Sequence, residues 1–193
     1  MSLHPAGPGG SRAVILVEGM SDQVALETLA RRRGQQLAAQ GIAVVHMGGA
    51  TNISHFLDRL GPHGLGVRLA GLCDAAEEGF FRRALQRAGL RPSSSRASLE
   101  ALGFYVCMAD LEDELIRALG AAAVEQIIQG QGELRSFRVF QRQPAQRAQS
   151  QERQLHRFLG TRSGRKSRYA GLLASALDLS QVPRPLDRVL SHL

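Results

Sequence analysis

The sequence predicts an α/β fold, a parallel sheet of about four strands with crossover helices and a basic helical C-terminal region. Three observations carry this. Four short apolar runs alternate with stretches of helical periodicity, the rhythm of strand–helix–strand units. From Gly120 onward no run reads as a strand. The charge also divides there: residues 1–133 carry a net −2, whereas residues 134–193 hold 11 Arg, one Lys and three acids, a net +9.

The first strand is Ala13 to Val17 (AVILV), continuous and partly β-branched, as expected of a strand buried on both faces. Gly19 follows, and Ser21 is the expected N-cap of a helix striped by Ala25, Leu26, Leu29 and Ala30. Ile42 to Met47 is a second strand. Gly48-Gly49-Ala50-Thr51-Asn52 then turns into a helix with Ile53, Phe56, Leu57 and Leu60 at helical spacing. Gly66 to Cys73 is a third strand, and Glu77 to Ala88 a helix. Residues 89–101 read as a polar loop, and Phe104 to Met108 as a fourth strand leading to an acidic turn and a helix through Leu119. Helices are expected around Val124–Ile128, Gln151–Leu159, Ser167–Leu177 and Pro185–Leu193, with 141–151 a Gln/Arg/Ala-rich linker. The division expected is a disordered start over residues 1–12, a domain over 13–120, and a basic helical region over 121–193 packing on it.

Composition narrows the function classes. A chain of 193 residues with 44% apolar side chains can bury a sizeable core. No apolar run approaches a membrane span, and residues 1–12 lack a signal-peptide core, so a cytoplasmic protein without membrane contact is expected. Two cysteines, Cys73 and Cys107, cannot build a disulfide framework or a four-ligand zinc site; they read as small core residues. Aromatics at 5%, with no Trp, argue against a base-stacking platform. The Arg-rich tail reads either as genomic composition or as a surface for a polyanion, most simply nucleic acid.

In an open parallel sheet, sites form at the carboxyl ends of the strands. Here strand one ends at Glu18, with Asp22 in the next helical turn. Strand three ends at Asp74, with Glu77 and Glu78 beyond. Strand four ends near Asp110, with Glu112, Asp113 and Glu114 following. Singly, acids such as Asp22, Glu77 and Glu112 serve as caps at helix starts. Three acidic strand ends on one edge repel one another and call for a counter-charge. Hard divalent cations, Mg²⁺ or Mn²⁺, are the simplest. Gly48 and Gly49 suit either a phosphate cradle or simply a turn. His46 reads as a strand-end or edge residue, and His55 and His156 as exposed helical residues.

At these residues the chain resembles a TOPRIM domain of the kind found in OLD-family nucleases. The resemblance lies in Glu18-Gly19-Met20-Ser21-Asp22 through Leu26, the turn from Met47 to Asn52, Leu72-Cys73-Asp74, and Asp110 to Leu115. It extends to Gly164-Arg165-Lys166-Ser167-Arg168-Tyr169-Ala170. It implies a TOPRIM, Rossmann-like sheet and a metal-dependent nuclease, with Glu18, Asp22, Asp74 and Glu112 as metal ligands and Lys166 as the active-site lysine. Lys166 stands out independently as the only lysine beside 23 arginines.

Two departures are plain. TOPRIM domains usually carry Asp-x-Asp after strand three, but the second position here is Ala76, and Glu77 or Glu78 would have to reach in its place. OLD proteins join the module to an ATPase, whereas no G-x-x-x-x-G-K-[ST] occurs here, so ATP hydrolysis is not expected of this chain. An ATPase on a separate chain is a partner the resemblance leaves open, as is a homo-oligomer.

The expected activity is phosphodiester hydrolysis of nucleic acid, DNA foremost, with Glu18, Asp74 and Lys166 catalytic. Arg135, Arg138, Arg142, Arg157, Arg162, Arg165, Lys166 and Arg168 are expected along the backbone of the substrate. Two rivals stand beside it: a binding module whose catalysis Ala76 has weakened, and a nucleotidyl transferase or small phosphoester hydrolase using the same chemistry.

Overall fold

The computed structural model describes residues 10–162 and 164–193. Most of the expected disordered start, residues 1–9, therefore lies outside the described residues. Arg12 leads directly into the first strand, its N–H donating to Gly41 O at 2.8 Å.

Four strands, β1 (Ala13–Val17), β2 (Ile42–His46), β3 (Arg68–Asp74) and β4 (Phe104–Cys107), form one sheet in the order β2-β1-β3-β4. All pairs are parallel; Val17 faces His46, Leu16 faces Gly71, and Asp74 faces Cys107. Chain direction across the sheet reverses between β1 and β3, so the crevice at their carboxyl ends is a topological switch point. Glu18 and Asp74 lie at that crevice.

Both faces of the sheet are covered, which is why β1 is apolar throughout. Ile15 and Val17 enter one core with Ala70, Leu72, Tyr105 and Cys107. Val14 and Leu16 enter the other with Cys73 and Phe104. The second core is closed by α2 (Ile53–Leu60), α3 (Glu78–Arg87) and α4 (Arg96–Ala101). The 89–101 loop is thus partly helical: Ser95 caps α4 by accepting from the Ser98 N–H, and Leu99 is its buried anchor.

The first core takes α1 (Met20–Arg32), α5 (Leu111–Leu119) and α6 (Ala121–Gly130). It also takes α7 (Leu134–Gln141), α9 (Gln151–Leu159), α10 (Arg165–Ala176) and α11 (Arg184–Ser191). The expected linker 141–151 contains a further turn of helix, α8 (Pro144–Arg147), preceded by α7, a helix the sequence reading does not predict.

The basic C-terminal helices pack directly on α1. Gly171 permits the approach, since a Cβ there would lie 3.0 Å from Val24 Cγ1. Arg32 donates to the carbonyls of Ala174 (2.9 Å) and Leu177 (2.6 Å), satisfying the end of α10. Leu173 is fully buried in this layer, and truncating such a leucine to Ala costs about 2–5 kcal/mol. This packing sets the position of Lys166, which α10 carries.

Candidate metal centre at the carboxyl edge of the sheet

The turn after β2 positions Glu18. Gly48 and Gly49 have φ of 74° and 128°, a backbone region that favours glycine. Both N–H groups then donate to Glu18 O at 3.1 Å, and Met47 N–H donates to Val17 O at 2.8 Å. The two glycines are turn residues. Their amides are spent on Glu18, which removes the phosphate-cradle reading. Asn52 Nδ2 closes the turn on Met47 O at 2.9 Å.

α1 begins with Gly19 as N-cap, in place of Ser21. The Asp22 carboxylate accepts from the Gly19 N–H at 2.8 Å, so Asp22 reaches back toward the end of β1. It is both a helix-start acid and a member of the cluster. Buried to 9% exposure, its carboxyl is pushed up to about 6, by burial first and then by Glu112, while the Gly19 N–H works against the rise.

Burial raises the Glu18 carboxyl, and Glu77 adds to the rise; Oε2 of Glu18 is buried with no hydrogen-bond partner. Asp74 at the end of β3 is raised furthest of the three, to about 8, through burial and then Asp22, Asp110 and Glu18. These carboxylates feel one another across the strand ends.

α5 supplies the other side. Asp110 is its N-cap, with Oδ1 accepting from the Asp113 N–H at 2.9 Å. Its Oδ2 lies 2.6 Å from His156 Nε2 on α9. Burial opposes ionisation of Asp110, yet the His156 contact and the Asp113 N–H hold its carboxyl below the usual range. That same contact raises His156. Glu112 has only 2% of its side chain exposed, and burial raises its carboxyl against the pull of Lys166. Lys166 Nζ lies 3.0 Å from Glu112 Oε2. The contact pairs Oε2 with a cation and leaves Glu112 Oε1 buried without a partner. Burial opposes the Lys166 charge, but Glu112 and Asp110 hold its ammonium above the usual range.

Asp110, Glu112 and His156 each offer a ligand atom, all within 4.8 Å of one another. Sequence reasoning places Asp110 at the acidic strand end without assigning it a ligand role, and it does not bring His156 to the site. His156 is half-buried beside the acids, so the exposed reading is corrected. The signal for Asp110 was its own place after strand four.

Other expected residues fall elsewhere. Glu78 accepts from Arg82 (2.6 and 2.9 Å) and Arg96 (3.0 Å); both oxygens are engaged away from the cluster. Ala76 is exposed in a short turn of 3₁₀ helix. Arg165 is a correction: it is 4% exposed and cannot meet a substrate surface. Its guanidinium donates to Thr161 Oγ1 (2.6 Å) and Phe158 O (3.2 Å), lies 3.2 Å from Glu133 Oε2, and stacks over the Phe158 ring. Arg138 pairs with Glu125 at 2.6 Å and Arg168 with Glu133 at 2.9 Å. Among the described residues, Arg135, Arg142, Arg157 and Arg162 are exposed and make no ion pair. Cys73 and Cys107 are buried core residues, as expected. His46 and His55 are exposed.

Residues 11–75, from the start of β1 to just past Asp74, match the family described as Overcoming lysogenization defect protein-like, TOPRIM domain. Over those residues the chain is similar to an OLD-like TOPRIM domain. Solved structures extend the likeness beyond that segment. The C-terminal region of the Xanthomonas campestris pv. campestris OLD protein superposes with a TM-score of 0.74 at 26% identity, over 94% of this chain and 91% of that one. The C-terminal region of the Burkholderia pseudomallei OLD protein superposes with a TM-score of 0.70 at 22% identity, over 94% and 96%. The helices after β4 therefore belong to the same fold as the OLD-like TOPRIM sheet. No curated protein matches the chain by sequence. Among the described residues no helix is long and apolar enough to cross a membrane.

Proposed function

We propose that this OLD-like TOPRIM chain is a metal-dependent phosphodiester hydrolase acting on nucleic acid, with DNA as the first substrate to test. The observation that carries the reading is the meeting of Glu18, Asp22, Asp74, Asp110 and Glu112 at one edge. Burial and mutual repulsion raise the proton affinity of four of them, Asp110 being the exception. Glu18 Oε2 and Glu112 Oε1, buried and without a partner, fit a hard cation, which would add to the positive charge that Lys166 supplies to this edge.

Glu18 and Asp74 would hold one ion, and Asp22 and Glu112 would stand by a second. Divalent ions in such sites supply a polarised phosphate and a bound water of lowered pKa. Lys166 would stabilise negative charge developing on the phosphate, since its ammonium is kept protonated by Glu112 and Asp110. Arg135, Arg142, Arg157 and Arg162, with Arg138 and Arg168 after rearrangement of their ion pairs, would meet the phosphate backbone.

Ala76 in place of the second Asp favours one rival, a module that binds nucleic acid without cutting it. Incubation of supercoiled plasmid, linear duplex, single-stranded DNA and RNA with Mg²⁺ or Mn²⁺, wild type beside Asp74→Asn, separates the two. Cleavage by the wild type alone supports the hydrolase. Salt-dependent binding without cleavage in either metal overturns it in favour of the binding module.

A further inference from the structure

We infer that Asp110, Glu112 and His156 form a mixed nitrogen–oxygen metal site that selects a divalent transition ion of the Mn²⁺ class over Mg²⁺. The inference deepens the proposed function, resting on the reading that this edge binds metal.

Three placements support it. The ligand atoms come from the N-cap of α5, its first turn and the facing side of α9, and they lie within 4.8 Å of one another. Glu112 is buried to 2% exposure, and its Oε1 has no partner. His156 presents Nε2, the nitrogen 2.6 Å from Asp110 Oδ2, to the same space. Once the proton between His156 Nε2 and Asp110 Oδ2 is released, the triad offers a divalent ion two carboxylates and a neutral imidazole, with the Lys166 ammonium beside Glu112 Oε2. Lys166 borders the site through Glu112 Oε2 and leaves Oε1 without a partner.

Donor chemistry then sets the choice of ion. Mg²⁺ prefers an all-oxygen octahedron and keeps its waters. An imidazole nitrogen beside two carboxylates suits transition ions better. The carboxylates of the first ion, Glu18 and Asp74, include no nitrogen donor, so the edge would hold two positions of different preference. Nitrogen ligation is also a property that an all-carboxylate centre cannot imitate, which makes it directly measurable.

The test is Mn²⁺ binding to the full chain, followed by calorimetry and by pulsed EPR for nitrogen coupling, with Mg²⁺ titrated in parallel. His156→Ala and His156→Gln are compared with wild type after their melting curves confirm folding. The expected result is an imidazole nitrogen coupling on bound Mn²⁺ that both variants lose. Mn²⁺ affinity at that position should fall by about tenfold or more, with Mg²⁺ affinity little changed. Mn²⁺ that binds with no nitrogen coupling, equally in wild type and variants, overturns the mixed site while leaving a carboxylate centre standing. Absence of any Mn²⁺ or Mg²⁺ binding to the wild type overturns both the mixed site and the metal-dependent function on which it rests.

Discussion

Lys166 on α10 lies 3.0 Å from the carboxylate of Glu112 on α5, so the basic C-terminal region supplies a counter-charge to the acidic edge of the sheet. The pair joins segments 54 residues apart in sequence and places a half-exposed ammonium over a carboxylate that is almost fully buried. Removing Lys166 strips Glu112 of its cation. Lys166→Met is expected to lower stability by about 1–2 kcal/mol, below the usual cost of breaking a fully buried pair because Lys166 is itself half-exposed. Lys166→Met with Glu112→Gln should recover much of that loss. Urea unfolding of both singles and the double in EDTA measures the coupling.

Metal and protons compete at the edge, and the direction follows from the raised carboxyls. Asp22 is pushed up to about 6 and Asp74 to about 8, above an unfolded value of 3.8. A group whose folded pKa is raised contributes its stability below the unfolded value and loses it as pH rises through the folded one. Metal-free protein should therefore lose stability between about pH 4 and 8. Added Mn²⁺ or Mg²⁺ should raise the melting temperature more at pH 8 than at pH 6, and should release protons on binding near neutrality. Melting curves with metal or EDTA at the two pH values check the first statement. Calorimetry in buffers of different ionisation enthalpy checks the second.

The arginines divide by burial. Arg165→Ala removes a guanidinium that bridges Glu133, Thr161 and Phe158 and should cost about 2–4 kcal/mol in unfolding. Arg157→Ala with Arg162→Ala should leave stability within about 0.5 kcal/mol. If both contact phosphate, that double variant should flatten the salt dependence of DNA binding by about one unit of slope per lost contact. Fluorescence anisotropy across a salt series reads the slope.

Gly49 holds Glu18 through the backbone. Gly49→Ala must accommodate a φ of 128°, at a cost of about 1–3 kcal/mol, and should shift the Glu18 carbonyl from its two amides. Metal affinity should fall along with stability. Ala50→Gly, a neighbouring change that imposes no strained φ, should leave metal affinity in place.

The strands were legible because each is apolar on both faces, with β1 buried from end to end. The acidic edge was legible because parallel topology brings strand ends together whatever the intervening sequence. His156 was not, because it reaches Asp110 across 46 residues and only the docking of α9 on α5 brings them together. Burial of Arg165 was hidden for a related reason. Within a run of exposed basic residues, nothing local marks the one that turns under α10 onto Glu133. The polar helix α4 was lost in a Ser-rich segment whose cap, Ser95, looks like any loop serine. α7 did leave a signal, since Leu134 and the aromatic pair Phe137 and Phe140 lie at helical spacing.

The most direct test of the central claim is Glu18→Gln, which keeps the shape of the side chain and removes its charge. Wild type and variant are incubated with supercoiled plasmid and Mn²⁺, and metal binding is measured on the same preparations. Plasmid cleavage by the wild type, lost in a folded variant that also binds metal more weakly, is the predicted result. Cleavage that persists undiminished in Glu18→Gln would contradict a catalytic metal held at the switch point of the sheet.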